Sequence, residues 1–107
     1  MVRVQYRRDD YGYEELHISG HAQYNTGNDI VCSAISILGF ALIGMLQMII
    51  GIDFRQLFIN DGKIDIVINP FSDERQTIVD TCFTQTLVGL CQIADKYPDY
   101  IKIGRIE

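Results

Sequence analysis

The chain has 107 residues, 48% of them apolar and 21% charged, which is enough for one hydrophobic core and too little for two. Its net charge is −5, and its one basic pair, Arg7-Arg8, is followed at once by Asp9-Asp10, so a nucleic-acid partner is not expected, whereas a basic peptide would be electrostatically favoured. Three cysteines without paired spacing and only two histidines argue against a disulfide framework and against a zinc site, so neither metal nor cofactor is expected.

Residues Val2 to Arg8 alternate, with Val2, Val4 and Tyr6 on one side and Arg3, Gln5 and Arg7 on the other, which predicts a half-buried strand. Asp9 to Gly12 reads as a turn. A second alternating run sets Glu14, Leu16 and Ile18 against Tyr13, Glu15 and His17, so the first two strands form a hairpin with His17 on its solvent side. Gly20 to Asn28 is a loop by composition. Ile30 to Gly51 reads as one long helix with Asp29 as its N-cap.

Phe54 to Ile59 and Lys63 to Ile68 predict a second hairpin around Asn60-Asp61-Gly62, where Asp-Gly supplies the positive φ of a tight turn. A second helix starts near Ser72 or Asp73, where Asp73 and Glu74 suit the positive end of the helix dipole. Its apolar stripe is Ile78, Val79, Cys82, Phe83, Leu87, Leu90, Cys91 and Ala94, and Pro98 closes it. Tyr100 to Ile106 is a last strand. The order ββαββαβ places the chain in the α+β class: a two-layer domain over residues 1–107, with a mostly antiparallel sheet covered by two helices.

From Ile30 to Ile52 there is no charged residue, a run that qualifies on hydropathy as a membrane span. Ser33, Ser36 and Gln47 interrupt it, and no aromatic belt or basic cluster flanks it. The strands also need a cover for their apolar faces. A buried helix that also meets a second subunit is therefore expected, with no membrane partner. The N-terminal residues lack an apolar h-region, which together with the cysteine usage points to a reduced, cytoplasmic protein.

Cys32 carries the chemistry to weigh. With Asp29 as N-cap, Cys32 is the third residue of the first helical turn, where the positive end of the helix favours a thiolate. The N–H groups of that turn have no intrahelical acceptor and are available to an oxyanion. His21 stands just after Gly20 at the end of the second strand, and the loop Ala22 to Asn28 is long enough to fold back and bring the imidazole to the thiol. Residue by residue, a plainer reading stays open. Cysteines on apolar helices are usually packing, Asp29 is read first as a plain helix cap and only second as a catalytic orienter, with both roles compatible, and Ser36, four residues after Cys32, is of a kind that usually bonds back to the preceding turn. Cys82 and Cys91, in mid-helix, read as core filler.

The segment Gly20-His21-Ala22, a short Gly-containing loop, then Asp29-Ile30-Val31-Cys32-Ser33 and Ser36 resembles the signature of the ribosomal-processing cysteine proteases, the Prp (YsxB-like) family: G-H-A, loop, D-I-V-C-[AS]-x-x-S. The element order and the length are similar as well. The resemblance implies that Cys32 is the nucleophile and His21 its catalytic partner. Gly20, Asp29 and Ser36 match the remaining signature positions, as orienting, cap or substrate-loop residues. It also implies a cytoplasmic homodimer that removes the short N-terminal extension of a large-subunit bacterial ribosomal protein by cutting after a Phe. In that family the His-to-Cys loop is mobile and orders around substrate. Two alternatives stay open: a phage-type relative that processes capsid proteins, and a non-catalytic dimeric module that binds a ribosomal or capsid protein.

Overall fold

The computed structural model describes residues 1–107. Strands β1 (Val2–Arg8) and β2 (Tyr13–Ser19) pair antiparallel, with an irregularity in register at Arg7/Arg8. The turn between them is tied by Asp9, whose Oδ1 accepts from the N–H groups of Tyr11 at 2.8 Å and Gly12 at 3.2 Å. Helix α1 (Ile30–Met45) follows, then β3 (Gln56–Asn60), β4 (Lys63–Val67), α2 (Arg75–Lys96) and β5 (Ile101–Arg105). The five strands form one sheet in the order β3-β4-β2-β1-β5. Only β5 runs parallel to its neighbour, β1, so the sheet is mostly antiparallel and the ββαββαβ reading holds.

One core lies between the sheet and the helix pair. Val2 and Val4 of β1, Leu16 and Ile18 of β2, Ile64 and Ile66 of β4 and Ile101 of β5 are buried at two-residue spacing. They meet Val31, Ile35, Leu42 and Leu46 from the first helix and Val79, Phe83, Leu87 and Leu90 from the second. Each such side chain contributes roughly 1.5–3 kcal/mol of transfer free energy when taken fully out of water. Gly39 lets α1 sit low on the sheet, since a Cβ there would stand 3.0 Å from Ile64 Cδ1 and 3.2 Å from Ile18 Cδ1.

Several expectations are corrected. The first helix does not run unbroken to Gly51: α1 ends at Met45 and a π-helical turn, Leu46–Ile50, completes it. Gly51, at φ +66°, closes that turn, with its N–H on the Gln47 carbonyl and the Ile52 N–H on the Leu46 carbonyl. By length and apolarity Ile30–Ile50 could cross a membrane, but in this fold Val31, Ile35, Leu42, Ile43 and Leu46 are spent on the sheet and α2. The second helix starts at Arg75 and not at Ser72 or Asp73; Asp73 instead accepts the Arg75 N–H at 3.0 Å.

Cys91 is exposed and is not core filler. It lies nine residues from the buried Cys82, half a revolution round the helix, so the two cannot share a buried face. Ile78, about 100° round the helix from the buried Val79, is exposed as well, while Gln76 and Thr86 take buried places that the apolar stripe did not include.

His17 is not a free surface residue. On the open face of the sheet its Nδ1 lies 2.7 Å from Asp65 Oδ1 and its Nε2 2.8 Å from Glu15 Oε1. Arg7 Nε donates to the other Glu15 oxygen at 2.7 Å. Burial alone would lower the His17 pKa, but the two carboxylate hydrogen bonds outweigh it and raise the pKa above its ordinary value. Burial likewise pushes Glu15 up, and its bonds to His17 and Arg7 bring it below the usual value.

Candidate active site

A cleft of about 390 Å³ opens where the start of α1 faces the end of β2 and the turn between β3 and β4. Its walls include His21, Cys32, Ser36, Gly20 and Gly62. The register of the sheet assembles it. β2 and β4 pair with Ser19 opposite Lys63, so the next pair outward is Gly20 opposite Gly62, and the Gly20 N–H donates to the Gly62 carbonyl at 2.8 Å. His21, one residue further, lays its ring against Gly62, where any Cβ would stand 2.6 Å from Nε2. Both glycines hold positive φ, +95° at Gly20 and +74° at Gly62, and a Cβ on Gly20 would also meet the Met1 carbonyl oxygen at 2.5 Å.

Cys32 enters from the opposite wall. Asp29 caps α1 as expected, its Oδ1 accepting the Cys32 N–H at 2.9 Å. Its second oxygen accepts the Tyr24 N–H at 3.1 Å, so one carboxylate holds both the first helical turn and the loop before it. Neither oxygen bonds His21; Asp29 acts on the helix and the loop. The Tyr24 ring sits edge-on to Tyr97, with centroids 5.3 Å apart, and to Tyr100, at 5.2 Å, which fastens the His-to-Cys loop to the end of α2.

The helix terminus offers fewer donors than the first turn suggested. The Cys32 N–H is taken by Asp29, and the Ser33 N–H by the Asp29 carbonyl at 3.1 Å. Ile30 and Val31 keep N–H groups without a protein acceptor. Ser36 does not bond back to the Cys32 carbonyl and lines the cleft one turn beyond the thiol; Thr81 on α2, by contrast, does bond back, to the Thr77 carbonyl at 2.8 Å. His21 and Cys32 share this cleft without hydrogen-bonding each other. Reactive pairs are often loose before substrate aligns them. No cluster of His, Cys, Asp and Glu suited to a metal ion is present.

Three features of the site were not legible beforehand. Gly62 was readable as a turn glycine, but not as the surface against which His21 rests. Phe40 on α1 and Ile59 on β3, both about half exposed, form the apolar flank of the same cleft. Lys63 lines it from the other limb of the turn.

The sequence matches the family described as cysteine protease Prp over residues 1–102. Among solved structures it is similar to the essential ribosomal processing protease Prp from S. aureus in complex with a covalently linked product peptide. That likeness has 26% identity and a TM-score of 0.77, covering 99% of this chain and 100% of the other. The same S. aureus protease in complex with a substrate peptide gives a TM-score of 0.82 at 21% identity, covering 99% and 100%. SMU.848 from Streptococcus mutans shares the fold at a TM-score of 0.79 and 22% identity, covering 99% of this chain and 94% of that one. No curated protein sequence matches the chain.

Proposed function

The chain belongs to the cysteine protease Prp family, and from that premise we propose that it removes the short N-terminal extension of a large-subunit bacterial ribosomal protein, with Cys32 as nucleophile and His21 as its acid–base partner. The observation that carries this reading is the single cleft that both side chains line, one held by the helix cap and the other by the β3–β4 turn. The S. aureus relative, a ribosomal processing protease with peptide complexes, supports the substrate class.

In this mechanism the Cys32 thiolate attacks the scissile carbonyl carbon while His21 carries the proton as imidazolium. The carbonyl oxygen becomes an oxyanion, for which the positive end of α1, where Ile30 and Val31 have N–H groups without a protein acceptor, is the assigned donor. As the C–N bond breaks, His21 gives its proton to the leaving amine, and the acyl half stays on sulfur as a thioester. His21, now neutral, takes a proton from water. The resulting hydroxide adds to the thioester, and collapse releases the carboxylic acid product and returns the thiolate. Gly20 and Gly62 set the position of His21, Asp29 sets the first turn of α1, and Ser36 presents its hydroxyl to the same cleft.

The reading includes a cytoplasmic homodimer that needs no cofactor, nucleic acid or membrane. Ile37, Met48, Ile49, Ile78 and Val88 leave an apolar surface exposed on the helical layer, which a second copy would cover. The test is to incubate the protein with the N-terminal peptide of its host's large-subunit ribosomal protein and weigh the products. A single cut after a Phe, absent in Cys32→Ala and His21→Ala, is the expected result. Equal trimming by Cys32→Ala would overturn the assignment.

A further inference from the structure

We propose that the free edge of β3 and the facing side of α1 form the substrate groove. An extended peptide adds along β3 as a sixth strand, and lodges an apolar side chain between Phe40 and Ile59 within three residues of the bond that is cut. This rests on the assignment of Cys32 and His21 as the reacting pair.

The two edges of the sheet differ. β5 carries Lys102 and Arg105, the kind of charged residue that discourages another strand from pairing. β3, at the other edge, is Gln-Leu-Phe-Ile-Asn, with no charge and no proline, and every one of its residues is exposed. Alternate residues of an edge strand turn their N–H and C=O groups outward with no partner. Such an edge binds an extended peptide through its main chain, independently of most of the peptide's sequence, and leaves selectivity to pockets for alternate side chains.

The register shows where such a pocket lies. Leu57 pairs with Ile66 and Ile59 with Ile64, both core residues, so Leu57 and Ile59 point to the helix-covered face of the sheet. No helix covers them there: Leu57 is 38% and Ile59 51% exposed. Phe40, 46% exposed on α1, lines the same cleft as Ile59, and at the other end of that cleft stand Cys32 and His21. The groove is thus continuous with the reacting groups. From Cys32 to Phe40 is eight helical residues, about 12 Å. On the other wall Ile59 is the residue before Asn60, the last of β3, from which the turn Asp61-Gly62 carries the chain round to the glycine against His21. The α1 wall therefore extends alongside about three residues of an extended peptide.

The experiment uses a short fluorescein-labelled peptide with apolar residues flanking a Phe, bound to Cys32→Ala protein and cleaved by protein with Cys32 intact. Phe40→Ala and Ile59→Ala should each weaken binding and raise KM about tenfold with kcat nearly unchanged, the pattern of lost uniform binding. Tyr11→Ala, in the exposed β1–β2 turn at the opposite end of β2 from His21, should match the parent. Peptides N-methylated at alternate backbone positions should lose affinity at the positions that face β3 and keep it at the positions between. The proposal is overturned if the Phe40 and Ile59 variants bind and cleave as Tyr11→Ala does, or if no N-methyl group matters. It is equally overturned if Ile59→Ala dissociates a dimer, since β3 would then pair with a second copy. Groove-dependent binding without cleavage would leave this proposal standing and remove the catalytic assignment instead.

Discussion

A Cβ placed on Gly62 would stand 2.6 Å from His21 Nε2, 3.1 Å from Cε1 and 3.2 Å from Cδ2. Non-bonded atoms of this kind settle near ~3.5 Å, so in Gly62→Ala the exposed imidazole must retreat by about 1 Å. A misplacement of that size in a group that has to align with the thiol costs about 10²-fold in rate. That is a loss of about 3 kcal/mol of transition-state stabilisation. The backbone adds a separate effect, because φ is +74° and an L-residue held there costs roughly 1–2 kcal/mol, or ~5–10 °C in Tm for a domain of this size. The two effects separate in Gly62→Asn. Asn tolerates the left-handed region, so it should recover most of the Tm, but it carries the same Cβ and should not recover the activity. Thermal melts and kcat/KM on a fluorogenic peptide measure the pair. Gly62→Ala that cleaves at the parent rate would refute the reasoning, because the turn would then have no hold on His21.

Asp29→Ala should lower stability by about 1 kcal/mol through loss of the cap, and Asp29→Asn by less, since its amide oxygen can still accept the Cys32 N–H; urea melts would show the order. His17 has a folded pKa raised above 6.5, so its contribution is full below that value and is lost as pH rises through the folded pKa. Glu15, with its folded pKa below 4.5, contributes above that value and loses its contribution as pH falls through the folded one. His17→Gln should therefore flatten the fall in stability on the alkaline side of pH 6.5, and an unchanged pH profile would discount the clamp formed with Glu15 and Asp65. Alkylation followed by mass mapping should label Cys32 first and Cys91, which is exposed, at an ordinary thiol rate. Cys82 should be labelled last, because burial both shields it and pushes its pKa up.

The strands were legible because Leu16 and Ile18, or Ile64 and Ile66, repeat at the spacing of a sheet with one covered face. Asp29 was legible as a cap because a short acceptor before a long apolar run has few other uses. What escaped depended on partners distant in sequence. The clamp on His17 needs Asp65, 48 residues away, and the seat of His21 needs Gly62. Neither shows until the β2–β4 register is known. The parallel pairing of β5 with β1 is likewise a matter of topology, to which alternation is blind. Cys91 was misplaced because a stripe drawn too wide took in both faces of α2. A pairing of His21 with Cys32 was not readable from physics alone, which left packing as the better account of the thiol. The signature residues around the two tipped that balance, and the structure sets both on one cleft without a hydrogen bond between them.

The central claim is that peptide cleavage passes through a thioester on Cys32. Mixing the protein with substrate peptide, quenching in acid within the first turnover and weighing the protein intact would test it most directly. The predicted result is an adduct with the mass of the N-terminal product, mapped to the fragment that contains Cys32, formed far more slowly in His21→Ala and absent in Cys32→Ala. An adduct on another residue, or cleavage that continues in Cys32→Ala, would contradict it.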